Sequence, residues 1–359
     1  MASFQKDTGQ EADAGSADGL TSLTIGSGVL RSVFCDLLGR PPFQSERDEW
    51  LGRPLSALVD ETLDSESFWN AWWEQQLYYF LLVDSFRPET ERIRNAPSDL
   101  AAGKLDVRGA LHRVALTPTF DLRNPGADTF VTVAMEQFCG LSVDREKADL
   151  EAGKRAYDGL PARFLGKAAS NQSDVIRICV EDRKAAAHLL EREYQRLLRQ
   201  EPSRREISSD VRSLHKDARA FTKILRAWLL SDAYALRLSK GYPKSNSVFV
   251  RGLFIDLHDR FPDKEELESM RSALDGLADP GALRAVLTRM LMNASQEELP
   301  TKKSIPDPTK WVRTQFQRLL GREPEAAELA GFVSIYHQPA CTPRTILYAL
   351  LTHPEYQKA

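Results

Sequence analysis

The sequence LLGRPP at residues 37–42 returns almost unchanged near the other end of the chain, as LLGREP at residues 319–324. Looser versions stand between them, LLRQEP at residues 197–202 and LHDRFP at residues 257–262. We number these four phrases 1 to 4 in chain order. The closing prolines of phrases 2, 3 and 4 are 60 and 62 residues apart. A phrase that recurs at a regular interval indicates a chain built from copies of one small structural unit.

Two further copies of the phrase are weaker. Residues 83–88 keep the proline but lack the leucines. Residues 138–143 keep the apolar start and Gly140, but Val143 stands where the other copies have proline. The sequence therefore predicts between four and six units.

A second landmark follows the phrases at a nearly constant distance, where an apolar stretch ends in a small polar residue and then an aromatic one. This aromatic residue stands 32 positions after the proline in three cases, namely Tyr356 after Pro324, Tyr234 after Pro202 and Phe120 after Pro88. In the first copy Phe68 follows Pro42 after 26 positions, so that unit is shorter.

Each unit has the physical pattern of two or three short helices. Before phrase 4, apolar residues recur at the spacing of one helical face. Gly321 can take the left-handed backbone that ends a helix, and Pro324 suits the first turn of the next, where Glu325 and Glu328 favour the helix dipole. A third apolar helix follows at residues 346–351. The predicted turn residues are Gly39, Pro42, Pro202, Pro262, Gly321 and Pro324.

The predicted fold class is all-α, an array of about four to six divergent units of two or three helices packed as a helical superstructure. A divergent helical bundle without true repeats is the alternative. Strand signals are almost absent, because the apolar run at residues 247–250 is better explained as the start of a helix. We expect a disordered tail at 1–24, helical units at 25–125, 126–240 and 241–296, a Pro-rich linker at 297–310 and a last unit at 311–359.

Charge and hydropathy exclude some partners. The chain carries 48 basic and 51 acidic residues, for a net charge of −3. Nucleic-acid binding normally needs a basic surface, so no nucleic acid is expected. No stretch approaches the roughly 20 apolar residues that span a bilayer, and residues 1–19 lack the pattern of a secretory signal. We therefore expect a cytoplasmic protein.

Reactive side chains do not cluster in the sequence. The four cysteines stand far apart and are expected to be buried thiols; they are Cys35, Cys139, Cys179 and Cys341. The six histidines are equally scattered, and we predict neither a metal nor a cofactor. The stretch at residues 26–31 begins like a dinucleotide-binding loop but lacks its third glycine, so it is interpreted as a flexible approach to the first helix.

The most unusual local feature is an aromatic-rich helix at residues 68–82, which has large side chains on nearly every face. Such a helix must be surrounded, either by the rest of the fold or by a partner. The candidate partner-binding residues are Trp69, Trp72, Trp73, Tyr78 and Tyr79.

With these residues in view, the units resemble the helical repeat modules of bacterial proteins that are themselves similar to phycobilisome linker repeats. The match is best at Gly321, Arg322, Pro324, Pro354 and Tyr356. The first copy, residues 37–73, also resembles the helical region of cytochrome-associated surface proteins of planctomycete type. That resemblance implies extracytoplasmic assembly and, in some relatives, a haem-binding cysteine pair followed by histidine. This sequence contains no such pair, so haem and export are not carried over.

The sequence thus favours a non-enzymatic helical scaffold that binds a protein partner or copies of itself, since stacked helical units create extended surfaces. The alternative is an enzyme or small-molecule binder with a pocket between helices, around His112, His188 and the aromatic-rich helix.

Overall fold

The computed structural model describes residues 23–82, 90–294 and 299–358. Within these residues the chain forms 21 α-helices and one two-stranded sheet, which confirms the all-α class. The weak phrase at residues 83–88 and nearly all of the predicted tail at 1–24 lie outside the described residues, as do two residues of the predicted linker at 297–310.

Fifteen helices precede residue 241. They are α1 Ser27–Leu38, α2 Gln44–Trp50, α3 Leu55–Asp64, α4 Glu66–Leu81, α5 Glu91–Arg94, α6 Ala96–Ala101, α7 Val107–Ala115, α8 Pro118–Arg123, α9 Gly126–Val133, α10 Lys147–Tyr157, α11 Gln172–Glu181, α12 Arg183–Leu198, α13 Ser208–Lys216, α14 Phe221–Leu229 and α15 Asp232–Lys240. Six follow: α16 Asn246–His258, α17 Lys264–Asp275, α18 Gly281–Ala294, α19 Pro308–Gln315, α20 Ala326–His337 and α21 Pro343–Leu351.

Short irregular turns extend some of these helices. A π-helical turn, Ala134–Phe138, continues α9, and another, Phe316–Leu320, continues α19. Single 3-10 turns, Ala218–Ala220 and Lys302–Ser304, precede α14 and α19. The predicted linker therefore contains a short helical turn and ends inside α19, which begins at Pro308, a residue suited to the first position of a helix.

One β-hairpin was not predicted from the sequence. Strand β1, Ala162–Phe164, pairs antiparallel with β2, Lys167–Ala169. Leu165 and Gly166 between them have φ angles of 45° and 77°, as a two-residue hairpin turn requires. Three-residue strands are too short to show an alternating pattern in a sequence.

Buried apolar side chains form two cores. The first extends from Ile25 to Tyr234, and the second from Phe249 to Tyr356. The predicted regions 25–125 and 126–240 thus share one core, while 241–296 and 311–359 share the other. We call these the N-terminal half and the C-terminal half.

The two halves meet where α1 crosses the π-helical turn Phe316–Leu320. A Cβ atom added to Gly321 would lie 2.7 Å from the Cα atom of Gly28. Both positions need glycine because their backbones touch. The stretch at residues 26–31 is therefore not a flexible approach: α1 begins at Ser27, and Gly28 allows the halves to pack.

Candidate functional site

All four phrases end a helix in the same way. The residue three positions before the closing proline has a left-handed backbone, with φ of 64° at Gly39, 56° at Arg199, 50° at Asp259 and 73° at Gly321. Gly140 of the weaker copy has the same conformation, with φ of 62°. The expectation that Gly39 and Gly321 end helices is confirmed.

The prolines lie earlier than expected. Pro324 was predicted to occupy the first turn of the next helix, but α20 begins at Ala326 with Glu325 as its N-cap. Pro42 and Pro262 likewise precede the N-caps Phe43 and Asp263. The proline is displaced because the backbone N–H of the residue after it is needed as a hydrogen-bond donor.

That donor belongs to an Arg–Glu clasp that recurs in phrases 1, 3 and 4. The arginine two positions before the proline binds the glutamate four positions after it through its Nη1 and Nη2 atoms. The same glutamate also accepts a hydrogen bond from the backbone N–H of the residue after the proline. The arginine-to-carboxylate distances are 2.6 and 2.6 Å for Arg40 and Glu46, 2.9 and 2.9 Å for Arg260 and Glu266, and 2.7 and 2.9 Å for Arg322 and Glu328. The glutamate accepts the N–H at 2.8, 2.7 and 2.8 Å.

In phrases 3 and 4 the clasp favours the charged form of the glutamate. The hydrogen bond from Arg322 lowers the pKa of Glu328 to about 2. The hydrogen bond from Arg260 likewise lowers the pKa of Glu266. Bidentate guanidinium–carboxylate pairs fix geometry as well as charge, so the clasp sets the angle between successive helices.

Phrase 2 keeps half of the clasp. Gln200 replaces the arginine, and Glu206 still accepts the N–H of Ser203, at 3.3 Å. The carboxylate of Glu206 is held by the Tyr194 hydroxyl instead, at 2.5 Å. The pattern Arg-x-Pro-x-x-x-Glu is visible in the sequence, and sequence reasoning missed it because Glu325 and Glu328 were assigned to the helix dipole alone.

Buried charges are concentrated at two aspartates, which lie near the ends of the helices that phrases 1 and 3 terminate. Asp36 and Asp256 each stand six positions before the proline of phrases 1 and 3, and only 5% and 3% of their surfaces are exposed. The arginine at the same position of phrase 2, Arg196, donates to the backbone carbonyl of Asp36, and Arg318 of phrase 4 donates to that of Asp256 at 2.6 Å. We call these the Asp36 site and the Asp256 site.

The Asp256 site joins the two halves. Arg31 of α1 binds both carboxylate oxygens of Asp256, at 3.1 and 2.6 Å, and the Tyr356 hydroxyl donates to one of them at 2.9 Å. Arg31 and Arg47 both donate to the carbonyl of Arg318, each at 3.1 Å. Burial alone would raise the pKa of Asp256, but the charge and hydrogen bonds of Arg31 outweigh it, and the pKa lies below its usual value.

The Asp36 site lies within the N-terminal half. Arg237 and the Tyr234 hydroxyl donate to the Asp36 carboxylate, at 2.6 and 2.8 Å. Burial is the larger effect here, and it raises the pKa of Asp36 although Arg237 opposes it. Tyr234 and Tyr356 are the aromatic residues of the second landmark, so sequence reasoning found these residues without finding their hydroxyl partners.

The predicted partner-binding helix is α4, and the chain itself covers most of it. Trp69, Trp72 and Trp73 are buried, with 8%, 1% and 4% of their surfaces exposed, and the Trp72 indole donates to Glu193 of α12 at 3.1 Å. Tyr79 is half-buried under the Arg192 guanidinium. Tyr78 is 41% exposed and stacks on Arg271 of α17.

The two histidines of the predicted pocket take part in different contacts. His188 lies 3.4 Å from the Tyr79 hydroxyl, and burial, with Arg192 beside it, lowers the pKa of His188 to about 4. His112 lies 3.3 Å from the Ser173 hydroxyl in an open groove between α7 and α11. Arg92 and Arg113 line that groove, and Arg113 pairs with Asp99, but His188 does not line it.

Three further expectations concern cysteines, metals and membranes. All four cysteines are buried free thiols, as expected. Across the described ranges, no group of three or more His, Cys, Asp or Glu side chains is arranged to hold a metal ion. Nor does any helix in those ranges have the length and apolar character needed to cross a bilayer.

No protein-family model matches this chain, and neither a curated protein nor a solved structure is significantly similar to it. The resemblance to linker-type repeat modules therefore stays a prediction.

Proposed function

We propose that this protein is a non-enzymatic scaffold of divergent helical repeat units that binds a protein partner or copies of itself. The observation that carries the proposal is the recurrence of the Arg–Glu clasp in phrases 1, 3 and 4. A clasp of this kind fixes helix geometry and performs no chemistry. Chains built from such units typically use their extended surfaces for binding.

The use of the buried charges also supports a scaffold. The carboxylates of Asp36 and Asp256 and the guanidinium groups of Arg31 and Arg237 hold helices to one another in the interior. A catalytic site instead needs titratable groups that converge on a substrate cavity. The contacts of His112 and His188 give no support to the predicted pocket between them.

The surface offers a place to test binding. Val286 and Met290 stand four residues apart on α18, so they share one face, and they are 51% and 57% exposed. An exposed apolar face is one kind of surface that another protein can cover, so these two side chains are the first to test.

The test is multi-angle light scattering of the full chain over a wide concentration range, combined with cross-linking in a lysate of the source cells. We expect either a defined oligomer or one reproducible cross-linked partner, and loss of that species in the double variant V286S/M290S. The matched control is Leu122→Ser on α8, where an isolated leucine is 81% exposed. A chain that stays monomeric throughout and yields no reproducible cross-link contradicts the proposed function.

A further inference from the structure

The Asp36 and Asp256 sites are alike in geometry but differ in charge. In the Asp36 site, the guanidinium of Arg196 pairs with the carboxylate of Glu193 at 2.8 Å. In the Asp256 site, Arg318 occupies the equivalent position, and its Nε and Nη2 atoms donate to the side-chain oxygen of Gln315 at 3.2 and 2.8 Å. Glu193 and Gln315 both stand nine positions before their prolines. A neutral amide has replaced a carboxylate.

The Asp256 site is consequently short of negative charge. Arg31 binds the buried carboxylate of Asp256, while Arg318 and Arg47 donate to the backbone carbonyls of Asp256 and Arg318 and feel that carboxylate only through its charge. Another carboxylate nearby, that of Asp259, is exposed and accepts the backbone N–H of Gln44 at 2.8 Å. Burial lowers the pKa of Arg47 to about 10, which reflects the cost of holding this cation away from water.

A pocket of about 280 Å³ opens onto Arg318. Its polar lining residues are Arg318, Gln315, Gln44, Thr314 and Asp256, whose carboxylate is already bound by Arg31 and Tyr356, and Trp311, Leu299 and Leu347 form an apolar wall. In the Asp36 site the residue equivalent to Gln315 already has a partner from the chain, because the indole of Trp72 donates to Glu193.

The orientation of Gln315 fits an anion. A guanidinium only donates hydrogen bonds, so the amide oxygen of Gln315 must face Arg318. The two N–H groups of the Gln315 amide then point away from Arg318, and no hydrogen bond from them to another described residue is formed.

We propose that this pocket binds the carboxylate of a small organic acid. The carboxylate accepts hydrogen bonds from the Gln315 amide and the Arg318 guanidinium, and so supplies the charge that Glu193 supplies in the Asp36 site. Its apolar group lies against Trp311 and the leucines. The same chemistry is offered by a free short-chain acid and by the C-terminal carboxylate of another polypeptide.

The experiment measures binding to the full chain by calorimetry and by thermal shift at constant ionic strength. The probes are butyrate and N-acetyl-leucine, each compared with its neutral amide. We expect a carboxylate to bind and its amide not to bind. If butyrate binds and N-acetyl-leucine does not, the ligand is a free short-chain acid. If N-acetyl-leucine binds more tightly than butyrate, the ligand is the C-terminal carboxylate of a polypeptide.

Variants locate the site. Gln315→Glu supplies the missing carboxylate from the chain itself, so we expect at least a tenfold loss of carboxylate affinity together with a higher melting temperature in the absence of ligand. Glu193→Gln is the matched control, because it makes the equivalent exchange at the Asp36 site and leaves the pocket intact. We expect it to bind the carboxylate as the wild type does, despite a lower melting temperature.

Gln315→Leu gives a second measure, since it removes the N–H donors without adding charge and places an apolar side chain of similar size at a buried position. It is expected to lose carboxylate affinity without the gain in melting temperature. The proposal is overturned if neither acid binds better than its amide, or if Gln315→Glu and Gln315→Leu bind carboxylate as tightly as the wild type.

Discussion

The Asp36 site and the Asp256 site have the same arrangement of residues around a buried aspartate, but the pKa of that aspartate is shifted in opposite directions. Both place an aspartate at the end of a helix, a tyrosine hydroxyl on its carboxylate and an arginine on its backbone carbonyl. In the first, burial dominates and the pKa of the aspartate is raised. In the second, burial is outweighed by Arg31, which arrives from the other half of the molecule, and the pKa is lowered.

The difference teaches that position in the fold decides the role of a buried charge. Asp36 ties α1 to α15 of its own half, through Arg237 and Tyr234. Asp256 stands between the halves and receives a guanidinium from each side. We therefore expect Asp256 to hold the two cores together and Asp36 to fix the local orientation of α15.

The largest effect is expected from Asp256→Asn. It removes the buried carboxylate that binds Arg31 and that offsets the charges of Arg47 and Arg318, and breaking a buried pair from one side costs about 3–5 kcal/mol. Asp36→Asn is the control, with a smaller expected loss in the free energy of unfolding at neutral pH. Urea denaturation, followed by circular dichroism, measures both. Equal losses would show that the two sites are equivalent in energy as well as in geometry.

The pH dependence of the same two variants separates the sites further. The folded-state pKa of Asp256 is lowered, so its contribution to stability is present above the unfolded pKa of about 3.9 and is lost as the pH falls. The folded-state pKa of Asp36 is raised, so its contribution is complete below the unfolded pKa and is lost as the pH rises through the folded value.

The destabilisation caused by Asp256→Asn should therefore grow from acidic to neutral pH, while that caused by Asp36→Asn should shrink. Unfolding free energies measured across that pH range check this. Parallel curves for the two variants would contradict the assignment of opposite pKa shifts.

A third prediction concerns the contact between the halves. Gly321→Ala adds a Cβ atom 2.7 Å from the backbone of Gly28 and forces an alanine into a left-handed conformation. We expect a loss of about 2–3 kcal/mol from the two effects together. Gly39→Ala is the matched control in phrase 1, because its Cβ atom meets only the flexible end of Arg251, at 3.3 Å. Thermal unfolding of both variants measures the difference, and a larger loss at Gly39 would contradict this account of the interface.

Much of the helical framework could be predicted from the sequence, for identifiable reasons. The spacing of apolar residues placed α14, α18 and α21, and the glycines of phrases 1 and 4 marked helix ends. These signals are local, since helix periodicity and left-handed turns depend on neighbouring residues.

The candidate sites depend on contacts that no local signal carries. Arg31 and Asp256 are separated by 225 residues, and nothing in the sequence of either helix indicates the other. The aromatic face of α4 showed that the helix is surrounded, but only the fold shows that α12 and α14 cover it. The difference between Glu193 and Gln315 could have been seen by aligning the phrases, yet its meaning requires the pocket beside Arg318.

The smallest expected effect comes from completing the clasp in phrase 2. Gln200→Arg places a guanidinium at the position that Arg40, Arg260 and Arg322 occupy, opposite Glu206. We expect a gain of about 0.5–1 kcal/mol, reduced by solvent exposure and by competition with Tyr194 for the same carboxylate. The opposite change, Arg322→Gln, should cost more than this gain, because Arg322 also binds both carboxylate oxygens of Glu355. Its cost should be larger at neutral than at strongly acidic pH, because the lowered pKa of Glu328 lets its charge stabilise the fold only above the unfolded pKa. Chemical denaturation of both variants at two pH values tests this. If Gln200→Arg brings no gain while Arg322→Gln is costly, the turn of phrase 2 differs from that of phrase 4 in more than one side chain, and the comparison between the halves is limited to their buried aspartates.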